Sequence, residues 1–301
     1  MTYVVGYGPH NNDRSAIELA CQLARSVPGD VRAISVVPQG WGTPAAGGTD
    51  REFEAWAAGE GELSAAEARD DLAQHPTIEG SAAWVSDRSV PHALLEEVGR
   101  CDAWMLVVGS SGDAEPGRIR LSSKTDRLVH SSPVPVAIAP RGYRSDHPVT
   151  RVTVGFRDDD ASWSLLARVA EISHRASARL RVATFVVAPP RRPVTARSSH
   201  TETQVIDLWK AQAANAQREA KTYLDSQGFD ETSLEFAIAE GPDWARAIRT
   251  LDWEDGDILA VGSSATHPVA RVFLGSSATK IIRYAPVPVV AVPGAATEGR
   301  A

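Results

Sequence analysis

Two glycine-serine clusters carry the chemistry this sequence could perform. Val108-Gly109-Ser110-Ser111-Gly112 is followed, nine residues later, by Ser122-Ser123; Val261-Gly262-Ser263-Ser264-Ala265 is followed, at the same spacing, by Gly275-Ser276. Glycine has no Cβ, so an anionic oxygen can come close to the backbone N–H groups at such positions. A helix starting just after each cluster would add its positive end and its unpaired N–H donors. Ser123, Thr125, Ser276 and Ser277 would add hydroxyls. Together these make a phosphate cradle. The same residues also suit a tight strand-to-helix turn whose serines cap the helix and bind nothing, and spacing alone weighs the two evenly.

No catalytic constellation accompanies the clusters. The eight histidines are scattered, and no His-x3-His or Cys-x2-Cys pair suggests a metal site. The serines do not form a Gly-x-Ser-x-Gly elbow. Asp158-Asp159-Asp160 is better explained by capping of a following helix than by magnesium. Packing is favoured over partner contact for Trp41, Trp56, Trp104 and Trp209. A net charge of −7 argues against nucleic-acid and anionic-membrane partners. Cys21 and Cys101 read as free thiols of a reducing compartment. With no transmembrane-length apolar window and no basic leader before Val4-Val5-Gly6, the expected location is cytoplasmic.

The elements that would position the clusters repeat as well. Leu106 to Pro140 matches Leu259 to Pro293 without a gap, down to Pro133-Val134-Pro135-Val136 and Pro286-Val287-Pro288-Val289. The chain of 301 residues therefore reads as two copies of one fold. Strands are predicted from Tyr3, Val31, Gly80, Trp104 and Val134 in the first half, and from Arg151, Leu180, Leu234, Asp257 and Val287 in the second. Helical spacing fills the intervals, starting with an Asn12-Asp13 cap. Ser89-Val90-Pro91 and Glu240-Gly241-Pro242 open matching helices. Long loops run from Pro38 to about Asp50 and from Ala188 to about Thr201. Val205, Leu208, Trp209, Ala213, Ala216, Ala220, Tyr223 and Leu224 form one apolar stripe, expected to pack on the sheet. The alternation implies an α/β fold with two tandem, doubly wound, five-stranded parallel sheets, each with helices on both faces. Domains of 1–143 and 148–294 are expected, joined by a linker over Pro140–Pro148 and followed by a disordered tail at 295–301.

The glycine pattern after a Val-Val strand, ahead of a Pro-Val-Pro-Val strand, resembles the universal stress protein family in a tandem form. The short Val-Gly strand opening each half and the Glu240-Gly241-Pro242 turn fit as well. The resemblance implies pairing through the fifth strand, hence an intrachain pseudo-dimer in which Val134–Ala139 and Val287–Val292 run adjacent and antiparallel; a homodimer stays open. It also implies an ATP-binding branch and a non-binding branch. In the binding branch an Asp after the first strand contacts adenosine, a Val ending the second strand packs on adenine, and the glycine motif holds ribose and phosphates.

This chain departs from that pattern. Gly8 and Arg157 stand where the Asp would be, so neither half supplies that carboxylate. Val36 and Val186 are assigned to the adenine position. The first motif keeps Gly109 and Gly112 but has Ser122-Ser123 for the last glycine; the second keeps Gly262, Ser263, Gly275, Ser276 and Ser277 but has Ala265 for the middle one. If those glycines need a positive φ, each replacement costs on the order of 1–2 kcal/mol. Asp113 and Glu115 would repel phosphate in the first loop, whereas the second holds His267 and Arg271 and no acid. The expectation is a non-catalytic stress-response module with degenerate ATP pockets, the second half being the better binder, and an unnamed protein partner. The alternatives are an interaction scaffold without nucleotide and a weak ATP hydrolase.

Overall fold

The computed structural model describes residues 1–8, 13–40, 49–188, 196–263 and 275–294. The chain divides into two compact units, Met1–Pro148 and Val149–Ala301. The first contains β1 (Thr2–Tyr7), α1 (Ser15–Ser26), β2 (Asp30–Pro38), α2 (Thr49–Ala73), β3 (Gly80–Asp87), α3 (Val90–Arg100), β4 (Met105–Gly109), α4 (Ser123–Ser131) and β5 (Val136–Ala139). The second contains β6 (Arg151–Gly155), α5 (Asp160–Arg175), β7 (Arg179–Val187), α6 (Ala196–Ser226), β8 (Leu234–Gly241), α7 (Trp244–Arg249), β9 (Asp257–Ser263), α8 (Ser276–Tyr284) and β10 (Val289–Pro293).

Strand order is β3-β2-β1-β4-β5 in the first unit and β8-β7-β6-β9-β10 in the second, and every neighbouring pair within a unit is parallel. This is the doubly wound α/β fold expected from the repeat. Successive right-handed crossovers put α1 and α2 on one face and α3 and α4 on the other, with α5 to α8 arranged likewise. Strands covered on both faces must be apolar throughout; Val4, Val5, Leu106 and Val107 are fully buried. The order reverses between β1 and β4, and between β6 and β9. Ligand crevices of such sheets open there, beyond the carboxyl ends.

Several local expectations change. The α1 cap is not made by Asn12-Asp13: Asn12 lies outside the described residues, and Arg14 occupies the cap without a side-chain bond. Asp13 instead accepts from the Ser15 N–H at 3.0 Å. Most of the loops after β2 and β7, residues 41–48 and 189–195, also fall outside the description. The apolar stripe of α6 is divided: Ala213, Ala216, Ala220 and Leu224 are buried, whereas Val205, Leu208 and Trp209 are exposed. The segment read as a linker is strapped to the first unit. The Tyr143 hydroxyl donates to Gln22 at 2.7 Å, Arg25 donates to the Ser145 carbonyl, and Arg141 donates to the Ala114 carbonyl. Both cysteines are free, and burial pushes the Cys21 thiol up to about 12. No described helix is long and apolar enough to cross a membrane.

In the second unit an ion pair ties together the amino ends of the two strands that flank the crevice. Arg151 opens β6 and lies in register with Asp257, which opens β9. Its guanidinium grips the carboxylate at 2.9 and 2.6 Å, with side-chain exposures of 3% and 0%. Desolvation of both charges is repaid only while both are present. Asp257→Asn would leave the buried guanidinium to the half-exposed Glu235 carboxylate at 3.1 Å and the Asp252 carbonyl, and is expected to cost the low end of about 3–5 kcal/mol. An apolar double replacement, Arg151→Met with Asp257→Leu, would recover most of that loss. Denaturant unfolding of the three variants checks the order; equal losses in the single and double variants would refute it.

Candidate functional site

The second unit opens a cleft of about 1020 Å³ at the carboxyl ends of β6, β7 and β9. Val186, Gly262, Gly275, Ser276 and Ser277, all singled out from sequence, line it together. Helix α8 starts from Gly275, which has φ −59° and no side chain to close the helix head. Among the described residues a Cβ at Gly275 would meet nothing within 4 Å, and one at Gly262 would make ordinary contact with Leu165 at 3.5 Å. Neither glycine is left-handed, so the argument from backbone strain does not apply to them. What they contribute is room above helix-terminal N–H groups that no side chain caps among the described residues. Ser263 ends β9, and Ala265, His267 and Arg271 lie outside the described residues.

The rim after β6 carries one base and two acids. Arg157 is largely exposed and donates to Asp159 at 2.7 Å. Asp159 caps α5, accepting from the Ser162 N–H at 2.8 Å. Burial works against its ionisation, yet the Ser162 and Arg157 donors hold it below the usual carboxylate range. One oxygen of Asp158 accepts from the Trp163 indole N–H at 3.1 Å; among the described residues nothing meets the other. A carboxylate acceptor is therefore present at the cleft one residue beyond the position first considered. Three consecutive acids before a helix look like caps, which concealed it. Asp159 does serve as one; Asp158 does not.

Strand register corrects another assignment. Gly6 pairs with Ile34 on β2, and Gly155 pairs with Ala183 on β7. Counting onward makes Val37 the counterpart of Val186, while Val36 matches Phe185. A slip of one residue moves a side chain to the opposite face. Ser89 caps α3 and Asp243 caps α7, so Pro91 falls in the first turn of its helix and Pro242 immediately before the cap of its own.

The first unit ties several of these donors to its own acceptors. Ser122 caps α4, its hydroxyl accepting from the Thr125 N–H at 3.1 Å. The Ser110 and Ser111 N–H groups are donated to the Ala139 and Arg120 carbonyls. The Ser110 hydroxyl accepts from the Arg120 N–H at 2.8 Å. Asp113 receives the Ser111 hydroxyl and pairs with Arg120 at 2.7 Å, which holds its carboxyl below the usual range. Gly112 is exposed on this folded loop, Ser123 is exposed at the start of α4, and Gly109 is half-buried. At the switch point Leu94 lies over Gly6, so that a Cβ would come within 2.9 Å of it. Over Gly155 nothing described comes nearer than 3.8 Å.

The structure also assembles a cluster that sequence spacing did not flag. Asp87, His92 and Glu96 bring three possible ligand atoms within 4.8 Å of one another beside the α3 cap. Asp87 accepts from the Ser89 N–H and from His92, which raises the histidine above its ordinary range. The group is an exposed ion-pair cap on α3.

The family model described as the universal stress protein family matches residues 1–140 and 148–293. A universal stress protein of Mycobacterium tuberculosis strain H37Rv is 38% identical over 296 residues, covering 98% of this chain and 100% of its own length. One from Mycobacterium bovis matches to the same extent. A universal stress protein structure from Archaeoglobus fulgidus superposes with a TM-score of 0.59 at 13% identity, covering 96% of this chain and 98% of that one. A putative universal stress protein from Pseudomonas aeruginosa gives 0.57 at 16%, covering 97% and 93%. At these identities the structural likeness establishes the fold.

The two helix heads predict different responses to cap mutations. Ser122→Ala is expected to destabilise the chain by about 1 kcal/mol, and Ser122→Gly by only a few tenths. Ser276→Ala, beyond an uncapped head, should be near neutral. Urea unfolding of the full chain compares them; a Ser276→Ala loss as large as that of Ser122→Ala would contradict the asymmetry.

Proposed function

The chain belongs to the universal stress protein family, and from that premise we propose that it is a non-catalytic regulatory module that senses an adenine nucleotide through its second unit alone. The carrying observation is the contrast between the helix heads. The head of α8 is uncapped and faces a cleft, whereas α4 is closed by Ser122. Phosphates would take the N–H groups of Ser276, Ser277 and Ala278, with Gly262 and Gly275 giving close approach. The base would pack on Val186, and Asp158 would accept from a ribose hydroxyl or the adenine amine. Arg157 is tied to Asp159 and cannot offer an undivided charge to a phosphate. The titratable side chains described at the cleft are Arg157, Asp158 and Asp159, all held by local partners. None is placed as a poised base, which supports a binding role over hydrolysis.

Calorimetric titration with ATP tests the reading. Binding is expected in the wild type and in Gly109→Asp, and it should be lost in Gly275→Asp, which puts a carboxylate at the helix head. Asp158→Asn should weaken it about tenfold, the scale of a charged acceptor replaced by a neutral one. Binding that survives Gly275→Asp but is lost in Gly109→Asp would reverse the assignment. No binding in the wild type would leave the interaction-scaffold alternative.

A further inference from the structure

The ion-pair group at the head of α3 holds more than a cap requires. The Ser89 hydroxyl already caps the helix, accepting from the His92 N–H at 3.4 Å. Beside it Asp87, the last residue of β3, meets His92 and Glu96, which stand four residues apart on one face of α3. The Ser89 backbone N–H donates to Asp87 Oδ1 at 2.7 Å, which fixes the carboxylate and leaves Oδ2 for His92. Metal-ligating carboxylates are oriented by hydrogen bonds of this kind. His92 Nδ1 lies 2.9 Å from Asp87 Oδ2 and 4.0 Å from Glu96 Oε2. Ligand atoms about 2.0–2.1 Å from a tetrahedral ion stand about 3.3 Å from one another, between those two separations. Small rotations would bring the three atoms onto one ion, since His92 is 60% exposed and Glu96 70%.

The repeat shows that the fold does not need this group. Asp87 pairs with Pro38 and Gly241 with Val187, so strand register makes Gly241 the counterpart of Asp87. The caps Ser89 and Asp243 give the same offset, and set Arg246 against His92 and Thr250 against Glu96. The second unit thus opens α7 with a single capping acid, Asp243, which accepts from the Arg246 N–H at 2.8 Å. None of the three side chains has its like there. Two carboxylates brought within 4.8 Å repel one another unless a cation sits between them. A protonated His92 can be that cation, and a divalent metal carries twice its charge.

We propose that Asp87, His92 and Glu96 bind one divalent metal ion of the zinc class, with water completing its coordination. An imidazole with two carboxylates suits zinc, whereas magnesium and calcium favour shells of oxygen alone. The ion would tie the end of β3 to the first turns of α3. Arg127 on α4 stands close enough for its charge to act on His92, and it opposes a cation there. The site gives the first unit a ligand of its own, and it does not depend on the nucleotide reading of the second unit.

The test titrates the full chain, stripped with a chelator, with zinc by calorimetry, and with cobalt by visible absorption. Zinc is expected to bind at micromolar concentration, and cobalt to give the absorption of a site with few ligands. His92→Ala should weaken zinc at least about tenfold, and Asp87→Asn and Glu96→Gln should each weaken it several-fold. Arg127→Gln, which removes the opposing charge, should tighten it about twofold or more, a gain that misfolding cannot imitate. Asp126 and His130 on α4 serve as the control, a histidine 3.5 Å from a single carboxylate. His130→Gln should leave zinc binding unchanged, and magnesium should not displace zinc. The site is overturned if zinc fails to bind at submillimolar concentration, if His92→Ala binds it as the wild type does, or if magnesium binds equally well. It is overturned too if both carboxylate variants bind as the wild type does, since His92 would then act as a lone histidine contact.

Discussion

The N–H groups at a helix head have no partner within the helix and must find an acceptor. In this chain that demand falls at the same place twice, after the fourth strand of each repeat, and it is met in opposite ways. Ser122 turns back onto Thr125 in the first unit, and Ser110 and Ser111 before it donate their N–H groups to Ala139 and Arg120. At the matching place in the second unit Gly275 has no side chain to offer. Among the described residues no side chain completes that helix head. The proposed difference between the two halves as binding sites starts from this exchange of serine for glycine.

Strand order places those helix heads where they can matter. Because the sheet reverses direction between β6 and β9, the loops leaving the two strands diverge and leave a gap. The buried Arg151–Asp257 pair fastens the opposite ends of these strands. Rigidity is thus built at the amino edge and openness at the carboxyl edge. The first unit has the same reversal, but Leu94 stands over the glycine of its first strand.

Much of this was legible in the sequence, for definite reasons. Fully covered parallel strands must be continuous apolar runs, so Val4-Val5 and Leu106-Val107 read as strands without ambiguity. The gap-free repeat fixed two copies of one fold, and the glycine spacing marked the turn that reaches the crevice. What stayed hidden depended on register or on distant partners. Val36 was paired with Val186 because two adjacent valines end β2, and only the pairing of Gly6 with Ile34 shows which one matches. Asp158 was grouped with its neighbours because nothing local reveals that its partner is the indole of Trp163. The α6 stripe is continuous in periodicity, yet Val205, Leu208 and Trp209 are exposed, and helical spacing carries no information about where cover ends. Ser122 suits a cap or a ligand contact by spacing alike, and the hydrogen bond that its hydroxyl accepts from the Thr125 N–H is visible only in the structure.

The closed first unit bears on how the chain would respond to ligand dose. Two equivalent pockets on one polypeptide would permit linkage, each occupancy altering the affinity of the other. With the α4 head capped by its own serine, the proposed nucleotide site is single within the chain. A single site fills along a plain hyperbola, with a Hill coefficient of about 1. Such a chain would report nucleotide level as a graded signal, spread over nearly two decades of concentration, and any threshold would have to come from whatever reads it.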